Sequence, residues 1–402
     1  MLRGLMLLLS LILPAAAAVP VTTLDAERFI CLDGQRFFPL GFYHVTSDGV
    51  TSQAAADQRN ADLQAMSTAG FTAMEPIVSL DDVGWSAFLD LAQTRNMRLV
   101  AHVPWNVLSA NVNGMKSKPA IFAWNIGDDV NWVSNGVNGV NFMSPSQLLT
   151  RHNQVRSLDP SRLTFAAAIG SPTLALATYA GSVDIMGIES YPIGNEPASA
   201  ALESNAAFYA YAQSSFAGTA TTWVALPQTF AWSGQAYPTA DEYRNLVYAA
   251  LVKGARGLID YTFVDSSTNL PVTAPALWTA CQTVQGEMQN LLADLRDGQR
   301  SELATGIVNI HAATWTRGAT VTVVVLNTHR TQSRTVALTM PAGCTGPAQA
   351  VFAGRPSGLV FHGGSLGGTI APDAVHVYRL SRNAGPGVTA SAAAAPAALT
   401  LP

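Results

Sequence analysis

Between residues 37 and 264, short apolar runs of strand length alternate with longer stretches whose apolar residues recur at helical spacing. This alternation is typical of a parallel sheet whose strands are joined by helices. The eight predicted strands span residues 37–45, 71–78, 98–105, 121–129, 163–169, 183–191, 222–230 and 257–264. Eight such repeats in succession predict a (β/α)8 barrel over residues 19–300.

Helices are predicted between these strands at residues 54–69, 82–95, 146–158 and 240–254. Ser144 and Thr239 precede two of them. Both are predicted N-caps, because a hydroxyl oxygen accepts a hydrogen bond from a free N–H of the first helical turn. The segment 195–220 is assigned to no element.

Beyond residue 300 the pattern changes to short strand-like pieces at residues 307–315, 320–327, 333–340, 348–352 and 375–380. Turn residues separate them, and no stretch of helix length intervenes. This pattern predicts a small antiparallel β-sandwich over residues 301–382. Such a domain either stabilises the barrel or binds sugar.

Both ends of the chain differ from the predicted domains. Residues 1–18 carry one early charge, Arg3, then an apolar run and three small residues, which is typical of a secretory signal peptide. We therefore expect a secreted or periplasmic protein with no membrane anchor. The Ala, Pro and Gly content of residues 383–402 predicts a disordered tail.

The amino-acid composition narrows the classes of molecule that the protein is expected to bind. Apolar residues make up 49% of the chain and charged residues 12%, which is enough for a large core. The net charge of -4 includes no basic stripe, so we expect no nucleic acid as a partner, and no cofactor is implied. Cys31, Cys281 and Cys344 are predicted to be three buried thiols, with one disulfide plus one free thiol as the alternative.

Two predicted strands end in acids, and a barrel of this kind keeps its chemistry at the carboxyl ends of its strands. The fourth ends in Asp128 and Asp129, and the sixth carries Glu189 near its end. Gly127 and Gly187 each stand two residues before an acid. A glycine inside a strand leaves room for a close approach, either by substrate or by a neighbouring side chain.

Two carboxylates that face one cleft can share the breakage of a glycosidic bond, because one donates a proton while the other attacks or activates water. The same pair could instead bind a metal ion or form a structural network. His102, on the third predicted strand, is the single candidate for a further metal ligand. We therefore predict no metal site.

Aromatic residues follow the same strand ends. Sugar rings stack their C–H faces on aromatic planes, so aromatics around a cleft favour a carbohydrate substrate. The candidates are Tyr43, Trp105, Trp132, Tyr191, Phe230 and Trp232.

Six segments, at residues 32–43, 69–72, 118–129, 183–192, 226–232 and 245–257, resemble in order and spacing the TIM-barrel glycoside hydrolases. A C-terminal β-sandwich is a common appendage of such enzymes. The resemblance implies an acid/base residue after the fourth strand, where similar proteins read Asp-Glu-Pro and this chain has Asp129 in the Glu position. On the sixth strand similar proteins have Asp where this chain has Glu189. The two departures change side-chain length in opposite senses.

The seventh strand departs further, because Gln228 stands where the best-known clan of these barrels places its nucleophilic Glu. A pair on the fourth and sixth strands fits the sequence better. Asp129 is therefore predicted to be the general acid/base and Glu189 the nucleophile or water-activating base, with the exchanged roles left open. Asn125, Tyr191 and Gln228 are predicted to position the sugar, and Tyr43, Trp105 and Trp232 to form walls.

Two other functions remain open. A barrel that binds carbohydrate without cleaving it is the alternative, since several family positions differ here. A secreted esterase would rest on Ser365 in a Gly-x-Ser-x-Gly run, but that run lacks the strand–turn–helix context of a nucleophile elbow. Glu75, Glu196 and Asp265 are further acids near strand ends.

Overall fold

A computed structural model describes residues 18–46, 49–134, 136–355 and 357–383. The predicted signal peptide and the predicted tail lie outside these residues, except for Ala18 and Asn383. The boundaries drawn at residues 19–300 and 301–382 remain predictions.

The described chain begins with a small antiparallel sheet that closes the amino-terminal end of the barrel. Its strands are β1 (Thr22–Leu24), β2 (Ile30–Leu32) and β3 (Gln35–Arg36). The Thr22 hydroxyl donates to the Phe122 carbonyl at 2.9 Å and accepts from the Leu163 N–H at 2.9 Å. Since these groups lie at the first residues of two barrel strands, the sheet plugs the amino-terminal end of the barrel.

Eight parallel strands then form a closed barrel, as predicted. A two-stranded hairpin, β8 (Val133–Ser134) with β9 (Val137–Asn138), follows the fourth barrel strand. The barrel strands are β4 (Leu40–His44), β5 (Ala73–Pro76), β6 (Arg98–His102), β7 (Ile121–Gly127), β10 (Leu163–Ile169), β11 (Ile185–Ser190), β12 (Thr222–Pro227) and β13 (Leu258–Val264). Several predicted strands end earlier than expected, so Trp105 lies in a 3-10 turn and Asp129 in a loop.

Helices surround the barrel. They are α1 (Gln53–Thr68), α2 (Trp85–Thr94), α3 (Leu108–Met115), α4 (Pro145–Leu158), α5 (Ala201–Phe216), α6 (Ala240–Lys253), α7 (Leu270–Thr273) and α8 (Pro275–Asp297), with 3-10 turns at Trp105–Val107 and Leu176–Tyr179. Ser144 and Thr239 are N-caps with complete capping boxes, which confirms that prediction. In the described part of the chain, no helix combines the length and the apolar character that crossing a bilayer needs.

Helix α5 lies within residues 195–220, where the sequence predicts neither a helix nor a strand. Its sequence places small alanines around the whole helix, and buried residues such as Asn205 and Ser215 are polar. The contrast between an apolar and a polar face is therefore weak, and periodicity alone does not reveal the helix.

The fourth barrel strand, β7, carries a bulge that changes which side chains face inward. Pairing with β6 slips between Ile121 and Ala123, so Phe122 is the extra residue. Trp124 and Ile126 pack outward against the helices, as the alternation predicts. Phe122, which alternates in the sequence with Trp124 and Ile126, instead joins Ala123 in the barrel interior.

Two packed antiparallel sheets follow the barrel, which confirms the predicted β-sandwich. One sheet has five strands in the order β14-β15-β16-β21-β18, and the other has three in the order β17-β20-β19. The strands are β14 (Gln299–Leu303), β15 (Ile310–Arg317), β16 (Thr320–Asn327), β17 (Arg334–Thr339), β18 (Cys344–Ala350), β19 (Val360–His362), β20 (Ser365–Ile370) and β21 (Val375–Arg382).

The larger sheet shares a hydrophobic core with the barrel helices, to which Trp315 and Val377 contribute. Polar contacts cross the same boundary. Arg244 on α6 pairs with Glu287 on α8 at 2.8 Å and donates to the Val375 carbonyl of β21 at 2.7 Å. These contacts are the kind that a stabilising role for the sandwich requires.

The three cysteines are thiols in the structure, as predicted, and no disulfide joins them. Cys31 and Cys281 are buried, whereas Cys344 is half-buried. The prediction of burial therefore holds for two of the three.

Candidate active site

A cleft of about 700 Å³ opens at the carboxyl-terminal end of the barrel strands. Residues of β4, β10, β11 and β13, together with the loops that follow β7, β10, β11, β12 and β13, line it. The lining includes both acids of the predicted catalytic pair, Asp129 and Glu189, together with Asp128. The tertiary structure therefore brings the two predicted carboxylates to one cleft.

Local geometry at the end of β7 explains how Asp128 and Asp129 reach the cleft. The Asn125 side-chain oxygen accepts a hydrogen bond from the Gly127 N–H at 3.0 Å, which ends the strand. A Cβ on Gly127 would stand 2.5 Å from Val130 Cγ1, so only glycine fits there. Asp129 adopts the left-handed conformation, with φ of 52°, which Asp tolerates better than most residues. The chain turns sharply at this point.

Glu189 lies on β11, directly opposite Ile169 of β10. A Cβ on Gly187 would stand 2.5 Å from Phe165 Cζ, an aromatic side chain of the barrel interior. Both glycines before the acids therefore make room for neighbouring side chains, and not for substrate.

Asp129 and Glu189 line the same cleft, close enough for the negative charge of Asp129 to act on Glu189. Glu189 is only 7% exposed, and its Oε1 has no hydrogen-bond partner among the described residues. Burial, followed by the negative charges of Asp129 and Asp128, raises the pKa of Glu189 well above its ordinary value. The more deeply buried Glu189 is therefore a better place for a proton than an ordinary carboxyl.

Asp128 is a third acid at the same place. Burial raises its pKa to about 7; the positive charge of His102 opposes this, while the negative charges of Glu75 and Asp129 add to it. The Tyr43 hydroxyl donates to Asp128 Oδ1 at 3.5 Å and favours the ionised form. Asp128 thus titrates in the neutral range, where a proton-transfer group is useful.

A buried polar network lies beneath these acids. Glu75, fully buried on β5, accepts a hydrogen bond from the Asn125 amide at 2.7 Å and pairs with His102 Nδ1 at 3.1 Å. Burial lowers the pKa of His102, but the hydrogen bond and charge of Glu75 outweigh it and raise the pKa above its ordinary value. Asn125 is predicted to contact sugar, but the nitrogen and the oxygen of its side-chain amide are both hydrogen-bonded within the protein, and it does not line the cleft.

Gln228 also lies outside the cleft lining. Its Oε1 accepts from the Ile193 N–H at 2.8 Å, and its Nε2 donates to the carbonyls of Ile193 at 2.9 Å and Phe230 at 3.1 Å. With every polar atom of the amide engaged by backbone, Gln228 joins the loops that follow β11 and β12. Gln228 therefore holds two walls of the cleft in position, whereas the sequence predicts that its side chain contacts the sugar.

The predicted aromatic walls divide into two groups. Tyr43, Tyr191 and Trp232 line the cleft, and the Trp232 indole N–H donates to the Tyr191 carbonyl at 3.1 Å. Trp105 does not line it. Its ring stacks on His102 with centroids 5.6 Å apart and lies 4.6 Å from the Arg151 guanidinium.

Several lining residues were not among the predicted sugar contacts. Tyr261 of β13 packs 5.4 Å from Tyr43 and 5.6 Å from Tyr191, measured between ring centroids. It stands within its strand, so a search restricted to strand ends does not find it. Trp132 and Phe230, predicted only as general cleft aromatics, both line the cleft.

The remaining candidate residues lie in the cleft, beneath it or outside it. Glu196 and Asp265 line the cleft, and Glu75 lies beneath it. Ser365 lies in β20 of the sandwich, outside the cleft, and donates to the Leu338 carbonyl at 3.3 Å. Between Ser365 and residue 383, the last one described, no helix follows, so the esterase interpretation has no nucleophile elbow. Among the described residues, no group of three or more His, Cys, Asp or Glu is arranged to hold a metal ion.

Comparison of the sequence with family models and with curated proteins gives no match to either. Comparison of the structure with solved structures does give matches. A glycoside hydrolase matches with a TM-score of 0.62 at 11% identity, covering 90% of this chain and 97% of that chain.

A glycoside hydrolase of family 5 from Bacteroides vulgatus matches with a TM-score of 0.59 at 13% identity, covering 94% of this chain and 96% of that chain. A family 30 endoxylanase from Clostridium papyrosolvens matches with a TM-score of 0.52 at 13% identity, covering 86% and 96%. The matches extend over barrel and sandwich together. The chain therefore has the fold of the TIM-barrel glycoside hydrolases that carry a C-terminal β-sandwich.

Proposed function

We propose that the protein is a secreted glycoside hydrolase that cleaves O-glycosidic bonds of a polysaccharide or oligosaccharide with two carboxylates. One observation carries the proposal. Asp129, in the loop after the fourth barrel strand, and Glu189, on the sixth, line one cleft wide enough for a saccharide, and burial with the neighbouring negative charges raises the pKa of Glu189 well above its ordinary value. Glycosidic cleavage needs such a pair, in which one carboxyl donates a proton and a second carboxylate lies nearby.

The environment of the two acids favours one assignment of roles. Glu189 is the more deeply buried and the better holder of the proton, so it is the general acid. Asp129 is then the nucleophile, the reverse of the assignment that the sequence favours. The sequence alone leaves the two roles interchangeable, because it carries no information on which acid is more deeply buried.

In the first step, the Asp129 carboxylate attacks the anomeric carbon as the glycosidic C–O bond breaks, and Glu189 donates its proton to the leaving oxygen. In the second step, Glu189, now a carboxylate, takes a proton from water. The resulting hydroxyl adds to the anomeric carbon, and the bond to Asp129 breaks.

Aromatic side chains would hold the sugar during these steps. Tyr43, Tyr191 and Tyr261 form one contiguous aromatic surface inside the cleft, and Trp132 and Trp232 are each 39% exposed at its rim. Such surfaces stack on the C–H faces of sugar rings.

Release of reducing ends from a panel of polysaccharides tests the proposal. The purified protein is expected to release them from at least one polymer, and the Glu189→Gln variant is expected to release them far more slowly. A matched control is Asp81→Asn, which changes an exposed acid outside the cleft.

A second candidate is a barrel that binds carbohydrate without cleaving it. It is favoured by the engaged amide of Gln228, which leaves the seventh strand without an acid in the cleft. Saturable binding of a polysaccharide, with no reducing ends released by wild-type protein, would select this function over hydrolysis.

Secretion rests on the composition of residues 1–18 alone. Expression of the full chain in a secreting bacterial host tests it. Exported protein whose amino terminus begins near residue 19 is the expected product, and full-length protein retained in the cell would contradict it.

A further inference from the structure

The charge of the cleft lining is strongly one-sided. Five carboxylates line it, and none of its described lining residues is Lys, Arg or His. The five are Asp128, Asp129, Glu189, Glu196 and Asp265. A hydrolase of two carboxylates does not need this many acids in its cleft.

Three other buried acids of the chain pair with arginine. The pairs are Asp82 with Arg59 at 2.7 Å, Asp159 with Arg162 at 2.7 Å and Glu287 with Arg244 at 2.8 Å. Such pairing is the general solution for a buried charge. None of the described salt bridges includes any of the five acids that line the cleft.

Two of these acids have oxygen atoms available to a ligand. Glu189 is more than nine-tenths buried, lines the cleft, and has an Oε1 with no hydrogen-bond partner among the described residues. Glu196 is half-buried on the loop after β11, and within the described chain no side-chain hydrogen bond or salt bridge engages its carboxylate. An unpartnered buried acceptor is costly unless a ligand satisfies it.

We propose that the cleft takes saccharides whose units carry free, positively charged amines, and that it rejects saccharides that carry carboxylates or sulfates. The inference rests on the proposed function for the location of the saccharide site. It adds the chemical class of the substrate, which neither the fold nor the pair of catalytic acids specifies.

An ammonium group suits this cleft for two reasons. It supplies the positive charge that the lining lacks, and it donates three hydrogen bonds, whereas carboxylates only accept them. An amino sugar also keeps the apolar C–H face that stacks on aromatic rings, here those of Trp132 and Trp232 at the rim. A uronate would instead bring like charge against five acids in a partly desolvated site.

Binding is the sharpest test, because it does not depend on hydrolysis. The probes are three tetrasaccharides, made of β-1,4-linked glucosamine, of β-1,4-linked N-acetylglucosamine and of a 1,4-linked uronate. Binding is followed by the fluorescence of the rim tryptophans in the full mature chain. We expect the amine form to bind at least about tenfold more tightly than the N-acetyl form at low salt, with the difference shrinking as salt screens the charges.

Equal or tighter binding of the N-acetyl form or the uronate overturns the inference, and so does the absence of binding by all three. Glu196→Gln should reduce the ratio of amine to N-acetyl affinity several-fold, whereas the control Asp81→Asn should leave the ratio unchanged. Amine selectivity without any hydrolysis would retain the inference and reject the hydrolase. Hydrolysis confined to uronates would retain the hydrolase and reject the inference about amines.

Discussion

Asp129, in the loop after the fourth barrel strand, lines the same cleft as Glu189 on the sixth, and burial together with the negative charge of Asp129 raises the pKa of Glu189. Strands β7 and β11 are not neighbours, since β10 lies between them. The proximity of the two acids depends on two local features, the left-handed turn at Asp129 and the inward side of β11 on which Glu189 lies.

Removing either acid of the pair should abolish most hydrolysis. Asp129→Asn eliminates the nucleophile and Glu189→Gln eliminates the proton donor, so each is expected to lower kcat by on the order of 10²-fold or more. Initial rates of reducing-end release measure the change, with Asp81→Asn as the control. Near-wild-type rates in both variants, with unchanged circular dichroism, would remove these residues from the mechanism.

Asp128→Asn should shift the pH dependence of activity. The negative charge of Asp128 raises the pKa of Glu189, so its removal lowers that pKa. The general acid then loses its proton at lower pH, and the alkaline limb of the kcat/KM profile moves toward acid. A shift toward alkali, or no shift in a variant that keeps measurable activity, would contradict the electrostatic coupling.

Hydrolysis should retain the configuration at the anomeric carbon. In the proposed double displacement Asp129 first bonds to the anomeric carbon and water then displaces it, so the configuration is inverted twice. Proton NMR of the first product formed during early turnover identifies the anomer. The opposite anomer would show that a water, and not Asp129, attacks the sugar.

Asp260 predicts a pH-dependent stability that is independent of the cleft. It is buried on β13, accepts a hydrogen bond from the Tyr243 hydroxyl, and has its pKa raised by burial to about 8. In the unfolded chain it ionises near its ordinary value, so from about pH 4 to pH 8 the unfolded state binds fewer protons than the folded state. The free energy of unfolding should therefore fall as the pH rises.

The slope expected from this one group is on the order of 1 kcal/mol per pH unit, and the loss levels off above the folded pKa. Asp260→Asn should remove this component, because the amide oxygen still accepts from Tyr243 and carries no charge. Urea denaturation at several pH values measures both proteins. An equal slope in the two proteins would show that Asp260 is ionised in the folded state.

The ion pair of Arg244 and Glu287 should matter for the attachment of the sandwich to the barrel. Both side chains are buried, so removing one leaves the other charged and unpaired. Glu287→Gln is expected to cost about 3 kcal/mol of unfolding free energy. The matched control is Asp297→Asn in the exposed pair with Arg296, which should cost less than about 1 kcal/mol. Similar losses in the two variants would contradict the role of burial.

Much of the architecture was predictable because it depends on local patterns. The alternation of strands and helices predicts the closed barrel, and the hydroxyls of Ser144 and Thr239 predict two helix starts, since period and capping are properties of adjacent residues. The same logic places Asp129 and Glu189 at the active end of the barrel, because the carboxyl ends of all eight strands meet there.

Local patterns along the chain are therefore enough to predict the fold class and the two acids that line the cleft together. The identity of the other cleft residues depends on the tertiary structure. The bulge at Phe122, the engagement of Asn125 by Glu75 and of Gln228 by backbone, and the presence of Tyr261 and Glu196 in the cleft all depend on contacts between distant segments. Register, burial and hydrogen-bond competition arise only when those segments meet, so no local pattern of residues encodes them.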